Sequence, residues 1–192
     1  GMRDVLGAGM NRMNVYTVPP RHPGTGRLLS DEEKKRGVVI AYDSRRMSAE
    51  FAKETALVLC ANGVKTYLFD ALRPVALLSF GVRHLGAAAG VVITASHNPP
   101  QYNGYKVYGE DGAQLGPEAA AAVTERINAL SFTAAKRMDE EAARAAGLLN
   151  IIGNKEVDDE YIARVKTLSI NPKSWLRRAR TSRSSTPPST AA

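Results

Sequence analysis

The sequence predicts an α/β fold, a three-layer α/β/α domain with a mostly parallel sheet. Three short apolar runs, at residues 37–42, 64–69 and 90–94, have the length and composition of buried strands. Segments of helical length separate them, and alternating strands and helices are typical of βαβ units with a parallel sheet. With 44% hydrophobic and 23% charged residues among 192, the composition is that of a globular domain with a sizeable core.

Capping and turn residues give the element boundaries up to the third strand. Ser30 precedes three acids and begins a short helix, Ser48 is the predicted cap of a longer helix, and Pro74 takes a first helical position. The predicted order is a helix from residue 31, a strand at 37–42, a helix from 48 to 63, a strand at 64–69, a helix from 74 to about 85 and a strand at 90–94.

Beyond the third strand, the pattern predicts a hairpin followed by helices. Residues 105–108 and 113–115 flank a Gly-Glu-Asp-Gly turn, which is typical of a β-hairpin. Three helices then follow, from Pro117 to about residue 130, from 139–141 onward, and at 157–169.

The chain divides into a predicted domain at 1–172 and a tail at 173–192. The tail is rich in Ser, Thr and Pro, which predicts disorder. It also holds five of the 26 basic residues and no acid, so 21 bases face 19 acids on the rest of the chain. The net charge of +7 therefore belongs mainly to the tail, and we expect no nucleic-acid-binding face on the domain.

The cysteine content and the lack of long apolar segments indicate the cellular location that we expect. Cys60 is the single cysteine, so an internal disulfide is excluded, and its helical position suggests a small buried hydrophobe. The sequence shows neither an apolar run of about 20 residues nor an apolar signal region at its start. We therefore expect a cytoplasmic protein without membrane association, and no protein partner is indicated.

The third strand runs into a polar segment, Thr94-Ala95-Ser96-His97-Asn98, before Pro99 and Pro100. Ligands of open α/β sheets bind beyond the carboxyl ends of the strands, so this segment is the candidate site. Acyl transfer requires a base beside the serine hydroxyl. Adjacent side chains on an extended segment point to opposite sides, so His97 is expected to be poorly placed for Ser96. The glycines of a G-x-S-x-G elbow are also absent.

Phosphoryl transfer makes other demands, because it depends on positioning and on neutralising charge. Lys106 follows an Asn-Gly turn and could fold back over the serine, while His97 and Asn98 offer donors. Residue types alone also allow a polar loop whose side chains only satisfy the local backbone.

Read as a string, Thr94-Ala95-Ser96-His97-Asn98-Pro99 resembles the active-serine loop of the α-D-phosphohexomutases, the phosphoglucomutase and phosphomannomutase superfamily. The resemblance, to the bacterial phosphoglucomutase type, extends over residues 1–18 and 31–172. Its further motifs are Gly7-Ala8-Gly9, Asn11-Arg12-Met13-Asn14, Ala41-Tyr42-Asp43-Ser44-Arg45, Phe69-Asp70-Ala71-Leu72-Arg73-Pro74, Tyr102-Asn103-Gly104-Tyr105-Lys106-Val107-Tyr108 and Asp111-Gly112-Ala113-Gln114-Leu115.

The resemblance implies an isomerase that interconverts glucose 1-phosphate and glucose 6-phosphate through a phosphoserine on Ser96 and glucose 1,6-bisphosphate. It implies Mg²⁺ held partly through the phosphoserine, with Lys106 as proton shuttle or phosphate contact. His97 would be a further catalytic residue, and Asn98 would bind the substrate or its phosphate as a hydrogen-bond donor. Arg3 matches the arginine of the family's G-x-R-G segment beside the phosphoserine, although Asp4 replaces the last glycine.

The departures from the family pattern are as informative as the matches. Family members have four domains, and the resemblance covers the first, so we expect a fragment that is inactive as an isolated chain. Residues 19–30 stand where the family has its first helix, and we interpret this block and the tail as frame-shifted or decayed sequence. Phosphomannomutase or phosphopentomutase specificity and a non-catalytic remnant are the alternatives.

Overall fold

A five-stranded sheet forms the centre of the computed structural model, which describes residues 27–128 and 136–170. The strand order is β4-β3-β1-β2-β5. Four strands are parallel, and β4 runs antiparallel to β3 at one edge. The strands are β1 (Val38–Tyr42), β2 (Thr66–Phe69), β3 (Ala89–Ile93), β4 (Tyr105–Tyr108) and β5 (Leu149–Ile152).

Six α-helices lie within the described residues, with a π-helical turn at Asn154–Asp158 before the last of them. They are α1 (Asp31–Arg36), α2 (Ser48–Ala61), α3 (Val75–His84), α4 (Pro117–Asn128), α5 (Glu140–Ala145) and α6 (Asp159–Thr167). The start of α1 follows from its sequence. The Ser30 hydroxyl accepts from the Glu33 amide at 3.2 Å, and the Glu33 carboxylate accepts from the Ser30 amide at 2.8 Å.

Alternation along the strands divides the core between the two faces of the sheet. Val38 and Ile40 of β1 pack in one cluster with α2 and Ala143 of α5. Val39 and Ala41 pack in the other, with α3 and the π-helical turn. Because successive side chains of a strand point to opposite faces, each face needs its own helical cover. The predicted three-layer α/β/α fold is confirmed.

Several element predictions need correction. β5 was missed, although it pairs in parallel with β2 from Thr66↔Leu149 to Phe69↔Ile152. The predicted hairpin is reduced to a single bridge between Tyr108 and Gln114, because the main partner of β4 is β3. Met47, with a left-handed φ of 64°, takes the position before α2 that the sequence assigned to Ser48.

The order of the strands reverses at β1 and β3, so the carboxyl ends of these two paired strands are the topological switch point of the sheet. The chain leaves β1 through α2 towards β2 on one side, then returns through α3 to β3 on the other side. The two connecting helices cover opposite faces of the sheet. At such a reversal the chain leaves the two neighbouring strands towards opposite faces of the sheet, and ligands of open α/β sheets bind beyond the carboxyl ends of these strands.

Some sequence predictions fall outside the described residues: the segment 1–18 with Arg3, most of the block 19–30, the end of the helix predicted to reach residue 130, and the tail 173–192. Over 27–128 and 136–170, none of the helices combines the length and the apolar character needed to cross a membrane.

Candidate active site

Two loops meet at the carboxyl ends of β1 and β3. We call residues 94–104, between β3 and β4, the serine loop, and residues 43–47, between β1 and α2, the arginine loop. The strands fix their relative position, because Tyr42 pairs with Ile93 as β1 and β3 end together. The Asp43 amide extends this ladder by donating to the Ile93 carbonyl at 3.2 Å.

Ser96 has an unusual backbone conformation that presents its side chain. Its φ is +57°, in the left-handed region that side chains disfavour by about 1–2 kcal/mol. Thr94 and Ala95 before it are buried, whereas Ser96 is exposed. The Ser96 amide donates to the Thr94 hydroxyl at 3.0 Å, which holds the reversal of the chain in place.

The sequence-based expectation about His97 was wrong. Ser96 Oγ lies 3.0 Å from His97 Nδ1, within hydrogen-bonding distance. The expectation assumed an extended segment, whereas the left-handed Ser96 turns the chain so that the two side chains share one side. The geometric argument against a nucleophilic serine with a neighbouring base therefore fails.

The serine loop contains two tight turns, the first of which includes His97. The Asn98 amide donates to the Ala95 carbonyl at 3.1 Å, and the Tyr102 amide donates to the Pro99 carbonyl at 3.0 Å. The chain rejoins the sheet where the Thr94 amide donates to the Gly104 carbonyl at 3.0 Å.

Arg45 of the arginine loop binds the serine loop through its guanidinium. Its Nη2 donates to the carbonyls of Ser96 and Asn98 at 2.8 and 2.7 Å. Its Nη1 donates to the carbonyls of Pro99 and Tyr102, both at 2.9 Å. One side chain thus gathers four carbonyl oxygens of the loop around itself.

A series of hydrogen-bonded side chains also joins the arginine loop to the last residues of the serine loop. The Asp43 carboxylate accepts from the Ser48 hydroxyl at 2.8 Å and pairs with Arg45 Nε at 3.4 Å. The Ser48 hydroxyl accepts from Asn103 Nδ2 at 2.8 Å, and Asn103 Oδ1 accepts from the Gly104 amide at 2.9 Å. Ser48 and Asn103 are both buried, so these bonds are protected from water.

The other predicted site residues are less closely connected. Asn98 is exposed, and its recorded contacts run through its backbone. Lys106 lies on β4 opposite Val92 and is half-buried. Within the described residues, no hydrogen bond or ion pair joins Lys106 to Ser96. Arg3 lies outside the described residues.

The donor set for a metal ion is poor in this part of the chain. Mg²⁺ prefers an octahedral set of oxygen ligands, in proteins mostly carboxylates, phosphates and water. Residues 27–128 and 136–170 contain no group of three or more His, Cys, Asp or Glu side chains that could hold a metal ion. Asp43, the carboxylate of the arginine loop, is engaged by Arg45 and Ser48. The described protein ligands therefore do not form a Mg²⁺ site by themselves.

Comparison with known proteins assigns the family. The sequence profile of the phosphoglucomutase/phosphomannomutase family, alpha/beta/alpha domain I, matches residues 1–134. The chain belongs to this family. A phosphoglucomutase of Staphylococcus haemolyticus is 45% identical over 130 residues, which cover 68% of this chain and 24% of that protein. A phosphoglucomutase of Staphylococcus epidermidis is 40% identical over 168 residues, which cover 88% of this chain and 31% of that protein. The chain thus spans about a quarter to a third of the length of these relatives.

Solved structures of the phosphoglucomutase/phosphomannomutase family give the same fold. A Thermus thermophilus protein assigned as a phosphomannomutase superposes with a TM-score of 0.53 at 30% identity, covering 74% of this chain and 28% of that one. A phosphoglucomutase/phosphomannomutase family protein of Burkholderia thailandensis superposes with a TM-score of 0.50 at 21% identity, and the match covers 80% of this chain and 35% of that one. The second likeness concerns the fold alone.

The sequence pattern singled out Ser96 as the candidate site residue but did not reveal the residues that hold its loop. Arg45 and Asp43 appeared in a matched motif without a role, and Asn103 was taken as part of a turn. For Asp43 and Arg45 the available signal was their place directly after β1, beside the end of β3.

Proposed function

We propose that Ser96 carries the phosphoryl group in a phosphohexomutase reaction of the phosphoglucomutase type. The observation that carries the proposal is the exposed Ser96 beyond the carboxyl ends of β1 and β3, with a left-handed backbone and its Oγ 3.0 Å from His97 Nδ1. Membership of the phosphoglucomutase/phosphomannomutase family supports phosphoryl rather than acyl transfer at this serine.

The proposed reaction has two phosphoryl transfers with one reorientation between them. Phosphoserine 96 gives its phosphoryl group to the 6-hydroxyl of glucose 1-phosphate, which forms glucose 1,6-bisphosphate and frees the serine. The bisphosphate turns around in the site. Ser96 Oγ then attacks the phosphorus at position 1, so the bond from that phosphorus to the sugar oxygen breaks and glucose 6-phosphate leaves. Each transfer moves one proton, from the accepting hydroxyl to the departing oxygen.

His97 is positioned to handle the proton of Ser96. In the tautomer that leaves Nδ1 unprotonated, the Ser96 hydroxyl donates to Nδ1 across 3.0 Å. The imidazole then accepts the proton as the serine oxygen attacks. Three further residues have proposed roles. Lys106 would be a proton shuttle or a phosphate contact, Asn98 would be a hydrogen-bond donor, and Arg3 would contact the phosphate.

Mg²⁺ is also part of the proposal, held through oxygens of the phosphoserine on Ser96. When bound, it would neutralise charge on the transferring group. Since the described residues lack a carboxylate cluster, no step of the reaction above depends on it. Glucose 1,6-bisphosphate is the proposed activator, because it can load the serine. Mannose and pentose phosphates are the alternative substrates, and a remnant without catalysis is the alternative role.

Exposure of the purified chain to glucose 1,6-bisphosphate with Mg²⁺ tests the proposal. Intact-mass spectrometry should show the addition of one phosphoryl group, and the S96A variant should show none. S44A is the matched control, because Ser44 is an exposed serine of the neighbouring arginine loop. Equal phosphorylation of S96A and wild type would reject Ser96 as the carrier, and failure of wild type to gain a phosphoryl group would favour the remnant.

The turnover of the 192-residue chain is a separate question. Because the chain spans about a third or less of its relatives, we expect negligible conversion of glucose 1-phosphate by this polypeptide alone. A coupled assay for glucose 6-phosphate measures it, and appreciable turnover would contradict this expectation. Mannose 1-phosphate in the same assay tests the alternative specificity.

A further inference from the structure

Arg45 uses its whole guanidinium inside the protein. An arginine side chain has five N–H donors and no acceptor. In Arg45 the two terminal nitrogens donate to four carbonyls of the serine loop, and Nε faces the Asp43 carboxylate at 3.4 Å. Arginines beside a phosphate site usually present a free fork of two N–H groups to the anion. Arg45 has no such fork left, so direct phosphate binding does not explain its position.

The carbonyls that Arg45 binds begin at Ser96, the strained residue of the loop, and continue after it to Tyr102. A left-handed residue with a side chain persists only where its surroundings over-determine it. The Ser96 carbonyl itself accepts from Arg45 Nη2 at 2.8 Å, and the Asn98 carbonyl accepts from the same nitrogen. Fixing these two carbonyls restricts the peptide groups that follow Ser96, and with them the direction of its side chain.

Turning the Ser96 carbonyl towards Arg45 also turns the next amide. No peptide bond among the described residues is cis. In a trans peptide the C=O and N–H bonds point in opposite directions, so the His97 amide points away from the guanidinium. An amide on that side can donate to an oxygen of a group carried by Ser96.

The anchoring of Arg45 is itself rigid. Asp43 pairs with Arg45 Nε and also accepts from the Arg45 amide at 3.0 Å. Through Ser48, the same carboxylate is linked to the buried Asn103 at the end of the serine loop. The guanidinium is therefore held at a fixed point at the end of β1, and the serine loop is folded around it.

We propose that Arg45 is a positioning residue that holds the serine loop in the conformation presenting Ser96 and the His97 amide for phosphoryl transfer. The proposal concerns the conformation of the loop, and its consequence for transfer rests on the proposed function. Arg45 acts through the backbone carbonyls and touches neither the phosphoryl group nor the sugar.

Hydrogen exchange measured by mass spectrometry tests the conformational part without any substrate. In R45A, amides in peptides covering residues 94–104 should exchange about tenfold faster, while peptides from β1 and β2 stay unchanged. R46A is the matched control, because Arg46 is the adjacent exposed arginine and its recorded hydrogen bond is made by its carbonyl. Unchanged exchange at 94–104 in R45A would overturn the proposal, as would an equal acceleration in R46A.

Single-turnover phosphorylation by glucose 1,6-bisphosphate tests the consequence for Ser96. R45A should load the serine ~10–100-fold more slowly than wild type, because small misplacements of reacting groups cost about this much. Millimolar methylguanidinium should restore part of the rate in R45A. R45K keeps the charge, but its three donors sit on one nitrogen and cannot reach four carbonyls, so its rate should be intermediate.

The outcomes separate this proposal from the proposed function. If wild type takes up phosphate and folded R45A does so equally fast, Arg45 is not a positioning residue while Ser96 stands as carrier. If wild type takes up none, the proposed function fails and hydrogen exchange still decides the role of Arg45. If R45A does not fold, R45K supplies both measurements, and wild-type behaviour of R45K would overturn the proposal.

Discussion

Replacement of Gly104 by alanine tests how the serine loop is joined to the sheet. A Cβ atom at residue 104 would stand 2.7 Å from the Thr94 carbonyl oxygen and 3.6 Å from Ala95 Cα. The obstacle is backbone and cannot rotate away as a side chain would. The same residues form the bond in which the Thr94 amide donates to the Gly104 carbonyl at 3.0 Å. Relief of the clash must therefore move the start of the serine loop away from β4.

The cost can be estimated from these two effects. Forcing an extra methyl group into a packed site costs about 1–3 kcal/mol. Weakening one backbone hydrogen bond adds about 0.5–1.5 kcal/mol. We expect G104A to lose about 2–4 kcal/mol of unfolding free energy. At about 2–4 °C per kcal/mol for a chain of this size, its Tm should fall by about 4–16 °C.

Thermal unfolding followed by circular dichroism measures this loss, and G116A is the matched control. A Cβ at residue 116 would meet no heavy atom within 4 Å, so that variant should stay within about 0.5 kcal/mol of wild type. An unchanged Tm in G104A relative to wild type would refute the steric explanation. So would a loss of stability in G116A as large as that in G104A.

Three further substitutions or probes test other parts of the fold. Arg27 and the Ser30 donors lower the pKa of Glu33 to about 2, below the unfolded value of about 4.3. Glu33 should therefore stabilise the fold fully above that unfolded value and lose this contribution as pH falls towards 2, and E33Q should remove about 1–2 kcal/mol. Burial raises the pKa of the Cys60 thiol, so the native protein should resist a thiol reagent at mildly alkaline pH. R73A should cost about 1–3 kcal/mol in urea unfolding, because Arg73 pairs with Asp158 at 2.7 Å and joins the β2–α3 connection to the π-helical turn.

Each of these predictions has a control or a contrary result. If the unfolding free energies of wild type and E33Q fall in parallel from neutral to acid pH, the result would contradict the role of Glu33. Stoichiometric labelling of Cys60 without denaturant would contradict its burial. For R73A the control is R144A, which removes an exposed pair with Glu140 at 2.9 Å and should cost about 1 kcal/mol or less. Equal losses in the two variants would show that the Arg73 pairs are ordinary surface contacts.

Strands β1 and β3 and the helices between them could be predicted because their signals are local. Their apolar runs are continuous, and the helices predicted to begin after Ser30 and at 139–141 start where the sequence indicates. β5 was not predicted because it has only four residues, Leu149–Ile152, and one of them is an asparagine. Its identity as a strand depends on pairing with β2, more than 80 residues earlier in the chain.

The polar segment after β3 was enough to propose a site and Ser96 as its central residue, but the contacts within the loop could not be predicted. The contact between Ser96 and His97 depends on a positive φ, which sequence patterns do not predict for serine. The role of Arg45 depends on carbonyls lying 51 to 57 residues away, and backbone acceptors leave no trace in the sequence.

Localisation of the phosphate after loading with glucose 1,6-bisphosphate tests the central claim most directly. Ser96 Oγ and His97 Nδ1 lie 3.0 Å apart, so both are within reach of the same donor. Phosphoserine survives acid, whereas phosphohistidine hydrolyses, and tandem mass spectrometry of the peptide containing residues 94–104 distinguishes the two sites. The account predicts an acid-stable phosphate on Ser96 that glucose 1-phosphate removes. An acid-labile phosphate on His97, or an unmodified peptide, would contradict it.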